Sequence, residues 1–257
     1  MPYLDLNHDR IYYALYQGRL AGGVPVVLVH GAGENHLVWP AGLRRLPECT
    51  VIALDLPGHG KSGGQGRSTV KEYADGLAAW LSALKWPRAI IAGHSMGGAI
   101  AQLFALLYPD RTVGLILAAT GAKLRVDPRL LELTRSDLSA AADLISEREW
   151  GLNVPDQIRR LGRQQIMANR PEVIHGDYRA CDTFDVTTRL GEITAPALVI
   201  GGTADQFTPI KYARFMAERL PRARLVEVPD AGHMVMIEAA ATVAAEVERF
   251  VREIEAA

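Results

Sequence analysis

The sequence predicts an α/β protein built on a mainly parallel, doubly wound sheet of about eight strands, with a helical cap inserted into it. Apolar runs typical of strands buried on both faces alternate with segments of helical periodicity. The alternation stops at Gly121 and resumes near residue 191. A length of 257 residues is long for one small domain and short for two, which fits a single α/β domain that carries an insertion.

The first half of the chain supplies the start of this sheet. The short runs at the N-terminus alternate apolar and polar side chains, whereas the later runs are apolar throughout, as expected of buried strands. The predicted elements, in order, are an antiparallel strand pair at Tyr3–Leu6 and Ile11–Gln17 turned at residues 7–10, strands at Val24–Val29 and Thr50–Leu54, a helix from its N-cap Ser68 to about Lys85, a strand from Ala89, a helix ending near Tyr108, and a strand at Val113–Ala119.

The second half begins with the insertion. From Ala122 to about Leu190 there is no buried-strand pattern but a series of short amphipathic stretches, which predicts a cap over residues 122–190 and a core formed by residues 1–121 and 191–257. The predicted elements here are helices at Pro128–Thr134, Leu138–Glu147 and Pro155–Met167, a strand at Ala197–Ile200, a helix at Ile210–Leu220, a strand at Arg224–Val228, and a helix from about Ala239 to Ile254.

Composition excludes several classes of function. A formal net charge of −1 gives no electrostatic case for a nucleic-acid or anionic-membrane partner. No apolar run approaches the length of a membrane span and the first residues contain no signal core, so we expect a cytoplasmic protein. Cys49 and Cys181 lie far apart and match no metal spacing, and their default interpretation is buried or surface thiols.

The stretch Ala89–Ile100 carries the strongest functional signal. A β-branched run ends at a Gly-x-Ser-x-Gly pentad, and an alanine-rich helical pattern begins at once. This is the layout of a nucleophile elbow, with Ser95 at its tip. Gly93 and Gly97 flank the serine because the sharp turn brings strand and helix so close that side chains there would clash.

A serine hydroxyl needs a base, and the base needs a group that holds it. Of seven histidines, His233 follows the last predicted strand in a glycine-containing loop that can turn the imidazole back over the sheet. Asp205, which follows a buried strand, is the favoured acid; Asp230 rivals it by proximity but is also suited to serve the turn.

The remaining histidines are interpreted differently. His94, next to Ser95, is expected to point away into packing. His30 and His59 follow early strands and are expected to close turns through hydrogen bonds, while His36 could line a pocket.

Five motifs in order now identify a resemblance: His30-Gly31-Ala32-Gly33, the stretch from Asp55 to Ser62, Gly93-His94-Ser95-Met96-Gly97-Gly98, the Asp205 loop and Gly232-His233. Over nearly its whole length the chain resembles the serine hydrolases of the α/β-hydrolase fold, whose catalytic residues occur in the order Ser, Asp, His. The resemblance implies a reaction without metal or cofactor. It also implies an oxyanion hole formed by the backbone N–H groups of Met96 and, in the early loop, Ala32.

The resemblance also limits which subfamilies of this fold the sequence fits. Dehalogenases and epoxide hydrolases of this fold have aspartate in place of Ser95. Carbon–carbon bond hydrolases typically have asparagine and tryptophan where this chain has His94 and Met234, and the menaquinone-pathway lyase usually has arginine where Ala99 stands. Enol-lactone hydrolases and small-ester carboxylesterases remain.

The sequence therefore predicts a carboxylic ester hydrolase (a carboxylesterase) that works through an acyl-enzyme, with a small-molecule ester as its partner and a monomer or small homo-oligomer as its state. An enol-lactone or carbon–carbon bond hydrolase, or a small-molecule receptor that retains the triad, stays open as an alternative. The predicted pocket walls are the side chains of Trp39, Met96, Leu124, Trp150, Phe207 and Met234.

Overall fold

The fold was obtained as a computed structural model that describes residues 2–6, 9–18 and 23–256. The chain forms one eight-stranded sheet in the order β1-β2-β4-β3-β5-β6-β7-β8. The strands are β1 Tyr3–Leu6, β2 Asp9–Gln17, β3 Val26–Val29, β4 Thr50–Leu54, β5 Ala89–His94, β6 Thr112–Ala118, β7 Ala197–Gly202 and β8 Ala223–Val228. The α-helices are α1 Ala41–Arg44, α2 Val70–Ala83, α3 Met96–Leu107, α4 Pro128–Ser136, α5 Leu138–Arg148, α6 Asp156–Met167, α7 Pro171–Thr183, α8 Ile210–Arg219, α9 Val235–Glu238 and α10 Ala240–Glu255.

The directions of the strands agree with the prediction of a mainly parallel sheet. Strands β3 to β8 run parallel, whereas β1 and β2 form an antiparallel pair at one edge. In the central strands β3, β4 and β5 every residue is buried, because helices cover both faces of the sheet. The mainly parallel, doubly wound α/β class is therefore confirmed.

Two apolar layers separate the sheet from its helices. On one face, α2 and α3 pack through side chains such as Tyr73 and Phe104. On the other face, α1 and α10 pack through side chains such as Leu43 and Phe250. Because parallel strands end at one edge of the sheet, the loops that follow β3, β5, β7 and β8 converge there.

Residues 122–190, which we call the helical segment, lie between β6 and β7 and contain α4, α5, α6 and α7. An isolated bridge between Lys123 and Asp185 brings the start and end of the segment together. The segment has a small apolar cluster of its own, to which Leu130, Ile145 and Ile174 belong. Three of its helices match the predicted ones. The sequence does not predict helix α7, because a buried acidic residue interrupts its apolar stripe.

A few element boundaries differ from the prediction. Helix α2 begins one residue later than expected, since Thr69 rather than Ser68 is the N-cap and accepts a hydrogen bond from the Glu72 N–H. The short helices α1 and α9 have no counterpart among the predicted elements. The predicted turn at residues 7–10 falls partly outside the described residues, and β2 already begins at Asp9. In the described part of the chain, no helix combines the length and apolarity needed to cross a membrane.

Candidate active site

Ser95 occupies the turn between β5 and α3 in a strained conformation. Its φ of 50° lies in the left-handed region that non-glycine residues rarely adopt. The expected clash at the flanking glycines is confirmed, because a Cβ on Gly93 would lie 2.1 Å from the Gly97 carbonyl oxygen. A Cβ on Gly97 would lie 2.2 Å from the carbonyl oxygen of Val29. The turn therefore depends on both glycines, and it places Ser95 at the N-terminus of α3.

His233 and Asp205 meet at the same edge of the sheet. His233 Nδ1 lies 2.9 Å from Asp205 Oδ2, and both side chains are buried. The other carboxylate oxygen of Asp205 accepts the backbone N–H groups of Phe207 and Thr208 at 2.8 and 2.9 Å. Burial alone would raise the pKa of Asp205, but His233 and the hydrogen bonds from Thr208 lower it to about 2. The carboxylate is thus ionised and fixed, and it leaves Nε2 of the imidazole available to Ser95.

Asp230, the rival acid, lies elsewhere. It is exposed, has a φ of 59°, and its backbone N–H donates to Thr203 Oγ1 at 2.9 Å. The residue belongs to the turn after β8, as the alternative interpretation had it. The structure brings Asp205, not Asp230, to His233.

The loop after β3 presents backbone N–H groups toward the same site. The Gly31 N–H donates to Glu34 Oε2 at 2.6 Å, and the Gly33 N–H donates to Asp177 Oδ2 at 2.9 Å. In contrast, the N–H of Ala32, between them, takes part in none of the hydrogen bonds found among the described residues. Met96 is the first residue of α3, so its N–H has no carbonyl partner within the helix. These two N–H groups have the character that an oxyanion hole requires.

His94 does not simply pack, as the sequence suggested. Its Nδ1 lies 3.0 Å from Glu34 Oε2 and its Nε2 lies 3.0 Å from the carbonyl oxygen of His233. Both partners are acceptors, so both ring nitrogens donate and the ring is an imidazolium. Burial would lower the pKa of His94, but the Glu34 carboxylate outweighs it and the pKa is raised. The pair links the loop after β3 to the loop that carries His233, and its ring lies 4.8 Å from the His233 ring.

His30 and His59 close turns, as expected, but their hydrogen-bond partners make His30 neutral and His59 positively charged. His30 Nε2 accepts the Leu56 N–H at 2.9 Å, so this ring is neutral, and burial lowers its pKa to about 4. His59 lies between two acceptors, the Pro57 carbonyl at 3.0 Å and Asp177 Oδ2 at 2.7 Å. Burial opposes the charge on His59, but Asp177 outweighs it and raises the pKa.

Asp177 ties the helical segment to the site. This fully buried residue of α7 accepts hydrogen bonds from the Gly33 N–H, from His59 and, at 2.6 Å, from the hydroxyl of Tyr73. One carboxylate thereby joins α7 to the loop after β3 and to α2. The position of the Ala32 N–H therefore depends on a residue of the helical segment.

A cavity of about 290 Å³ lies between the helical segment and the carboxyl ends of the strands. Ser95, His233 and Ala32 line it from the sheet side. Four of the predicted pocket walls also line it, namely Leu124, Trp150, Phe207 and Met234. The cavity thus joins the candidate nucleophile and base to a mostly apolar chamber of ligand-binding size.

Three predicted pocket residues lie outside this cavity. Trp39 is 1% exposed and packs in the apolar layer beneath the sheet, because the chain after the loop turns back toward α10. The Met96 side chain is fully buried in the opposite layer, under α3. His36 is buried against Asp55, with Nδ1 2.8 Å from Oδ1.

Both cysteines are buried thiols, and Cys181 lines the cavity.

Sequence reasoning missed three acidic residues: Glu34, Glu149 and Asp177. Glu34 follows a glycine-rich loop and could have been noticed as an acid beside a predicted oxyanion hole. Asp177 interrupts an apolar helical stripe, which is a signal for a buried polar contact. Glu149 carried no signal, because its burial depends on how α5 and α6 pack over the sheet.

The sequence model of the alpha/beta hydrolase family matches residues 26–246. A pimeloyl-[acyl-carrier protein] methyl ester esterase from Neisseria meningitidis is 29% identical over 242 residues, a match that covers 88% of this chain and 92% of that protein. A dihydrolipoyllysine-residue acetyltransferase component of an acetoin-cleaving system from Pseudomonas putida is 32% identical over 252 residues. That match covers 90% of this chain but spans only 64% of the relative.

Among solved structures, the enol-lactonase from Burkholderia xenovorans LB400 superposes with a TM-score of 0.89 at 26% identity, over 98% of this chain and 100% of that one. The match to the family model covers most of the chain, and the sheet order and the serine turn agree with it. The chain belongs to the alpha/beta hydrolase family.

Proposed function

We propose that the protein hydrolyses carboxylic esters through a Ser95–His233–Asp205 triad and an acyl-enzyme. The observation that carries this proposal is the 2.9 Å contact between Asp205 and His233, a residue that lines the same cavity as the strained Ser95. A serine, an imidazole and a carboxylate are the groups that together activate a hydroxyl for acyl transfer, and the cavity shared by Ser95 and His233 supports this assignment.

The reaction follows from the groups present. Ser95 Oγ attacks the ester carbonyl carbon as His233 Nε2 takes its proton, and the N–H groups of Ala32 and Met96 stabilise the oxyanion. The tetrahedral intermediate collapses, the C–O bond breaks, and His233 returns the proton to the departing alcohol. A water molecule, deprotonated by His233, then attacks the acyl carbon and releases the acid and free Ser95.

The related proteins favour this reaction class. One relative is described as a methyl ester esterase and a solved neighbour as an enol-lactonase. A lactone is a cyclic ester, so the same residues can open it by the same steps. Enol-lactone hydrolysis is therefore the second candidate, and the high similarity to the enol-lactonase fold favours it over carbon–carbon bond hydrolysis.

We further propose that residues 122–190 form a cap that determines which esters enter. About half of the cavity lining comes from this segment, including Ile145, Tyr178 and Ile166, while the triad and oxyanion residues all lie outside it. Substitutions of cap residues should therefore mostly redistribute activity among esters, with Asp177 as an exception because it holds the loop that carries Ala32.

The test is a turnover screen across methyl esters, p-nitrophenyl esters and lactones of graded chain length. Ser95→Ala serves as the control that keeps the fold and should lose turnover by a factor on the order of a million. Substrate hydrolysis by the wild type that disappears in the variant would support the proposal. A well-folded Ser95→Ala protein with near-normal turnover would overturn it.

A further inference from the structure

The loop that carries His233 is hydrogen-bonded to the loop between α5 and α6. Residues 229–234, which we call the base loop, connect β8 to α9. The backbone carbonyl of Glu149, at the start of the α5–α6 loop, accepts the N–H of His233 at 2.8 Å. In the other direction, the Leu152 N–H donates to the Asp230 carbonyl at 3.2 Å. The helical segment thus holds the loop on which the candidate base lies.

Glu238, the last residue of α9, joins the same two loops through its side chain. Its Oε2 atom accepts the N–H groups of Gly232 and Gly151, each at 3.0 Å. Gly232 precedes the candidate base, and Gly151 belongs to the α5–α6 loop. One carboxylate oxygen therefore binds a backbone group of each loop, from a position outside the cavity lining.

The two loops approach each other so closely that glycine is required on both sides. A Cβ on Gly151 would lie 2.3 Å from the Asp230 carbonyl oxygen and 2.6 Å from the Gly232 nitrogen. A Cβ on Gly232 would lie 2.3 Å from the Gly151 nitrogen. Because these neighbours are backbone atoms, they cannot turn aside as the end of a flexible side chain can. A methyl group at either position would push the loops apart.

The position of the base loop decides where the imidazole lies. Asp205 binds the ring through Nδ1, and His94 donates to the carbonyl of His233. Glu238 adds a third contact, at the peptide group just before the base. A catalytic group that is misplaced by about 1 Å can cost about 100-fold in rate, so support of this backbone bears directly on turnover.

We propose that Glu238 is a positioning residue for the base, because it holds the base loop against the helical segment through Gly232 and Gly151. This rests on the proposed ester hydrolysis and adds a residue to it. Glu238 acts through the backbone that carries His233, so its loss should lower kcat and leave KM nearly unchanged. The loss should be equal for different esters, because Glu238 and Gly151 lie outside the cavity lining.

The test measures kcat and KM of three variants with methyl butanoate and methyl octanoate. Glu238→Ala removes the acceptor of both N–H groups, and its kcat should fall by up to about 100-fold with both esters. Glu238→Gln retains a side-chain carbonyl oxygen that can accept both N–H groups, so it should keep most of the activity. Gly151→Ala separates the loops while Glu238 is intact, and its kcat should fall as that of Glu238→Ala does.

Gly191→Ala is the matched control, because a Cβ there would have no described atom beyond its chain neighbours within 4 Å. Thermal unfolding establishes that each variant is folded. The rate of covalent labelling of Ser95 by a fluorophosphonate is a second readout, since labelling needs the base but not the ester chain. It should fall by the same factor as kcat. A residue that only stabilised the fold would lower the midpoint of unfolding and leave both rates of the folded protein unchanged.

Wild-type kcat and labelling rates in folded Glu238→Ala and Gly151→Ala would overturn the proposal and leave ester hydrolysis standing. A Glu238→Gln enzyme as slow as Glu238→Ala would also overturn it, because the hydrogen bonds to the two loops would not be the cause. A loss confined to one ester would show that Glu238 shapes the pocket instead. If the wild type hydrolysed no ester, the proposed function would fall, and this proposal with it.

Discussion

At the scale of single residues, hydrogen-bond partners determine the charge of the buried histidines. His94 and His59 each lie between two acceptors and are imidazolium ions, whereas His30 accepts a backbone N–H and is neutral. Each charged ring has a carboxylate beside it, Glu34 or Asp177. The loops around the site are thus held by buried ion pairs rather than by apolar packing alone.

The triad acid can be tested by two isosteric changes. Asp205→Asn should keep the fold and lower kcat by up to about 10⁴, because the amide can donate and so favour the wrong imidazole tautomer. Asp230→Asn should change kcat little, since asparagine tolerates positive φ and the residue is exposed. Measuring kcat of both folded variants at pH 8 compares them. If Asp230→Asn lowered kcat strongly and Asp205→Asn did not, Asp230 rather than Asp205 would be the triad acid.

The Glu34–His94 pair can be tested through its pH dependence. Glu34→Gln removes the carboxylate that favours the second proton of His94, and the neutral ring can donate to the His233 carbonyl in only one of its two tautomers. We expect kcat to fall by up to about 100-fold with KM nearly unchanged, as for a misplaced catalytic group. The wild type loses the same proton above the raised pKa of His94, so the difference in kcat should shrink with rising pH.

The exposed change Glu147→Gln is the control for this effect. A Glu34→Gln enzyme with wild-type kcat at pH 6 would show that the pair does not position the base. A constant difference across pH would show that the effect has a cause other than the His94 proton.

At the scale of elements, most of the strand and helix order was predictable, because buried parallel strands are apolar throughout and the turn at Ser95 has a distinctive glycine pattern. Helix α7 was not predictable in this way, since Asp177 breaks its apolar periodicity. Trp39 is expected in the pocket because it follows the loop after β3, but the chain direction after that loop buries it. Contacts between the helical segment and the loops depend on tertiary packing, which local sequence patterns do not encode.

The link from α7 to the sheet can be broken by Asp177→Asn. The buried His59 imidazolium would then have no counter-charge, and breaking such a pair costs about 3–5 kcal/mol of stability. For a chain of this size the midpoint of thermal unfolding should fall by at least about 6 °C. Glu172→Gln, exposed on the same helix, should shift the midpoint very little. An unchanged midpoint of thermal unfolding for Asp177→Asn would contradict the role of Asp177 in holding α7 to the loop after β3 and to α2.

At the scale of the whole molecule, Glu149 couples stability to pH. The pKa of an ordinary glutamate is 4.5 and that of Glu149 in the folded protein is about 7, so the folded state binds a proton more tightly. Stability therefore falls as the pH rises from about 4.5 to 7, and the full penalty, roughly 3 kcal/mol, is present above pH 7. The protein thus retains a carboxyl that weakens its fold at neutral pH.

Replacing this carboxyl should reveal that penalty. Glu149→Gln should raise the free energy of unfolding relative to the wild type at pH 8, by up to about 3 kcal/mol, with little gain at pH 4.5. Urea unfolding at the two pH values measures the difference. A gain of equal size at both pH values would mean that Glu149 does not titrate as described.

The central claim is that Ser95 is the nucleophile of an ester hydrolase, and covalent labelling tests it most directly. The folded protein is treated with a fluorophosphonate, the modified peptide is located by mass spectrometry, and hydrolysis of a methyl ester is followed in the same sample. We expect one adduct per chain, on Ser95, that forms in proportion to the loss of hydrolysis and is absent from Ser95→Ala. Loss of hydrolysis that tracks an adduct on another residue, or hydrolysis that persists with Ser95 fully labelled, would contradict the claim.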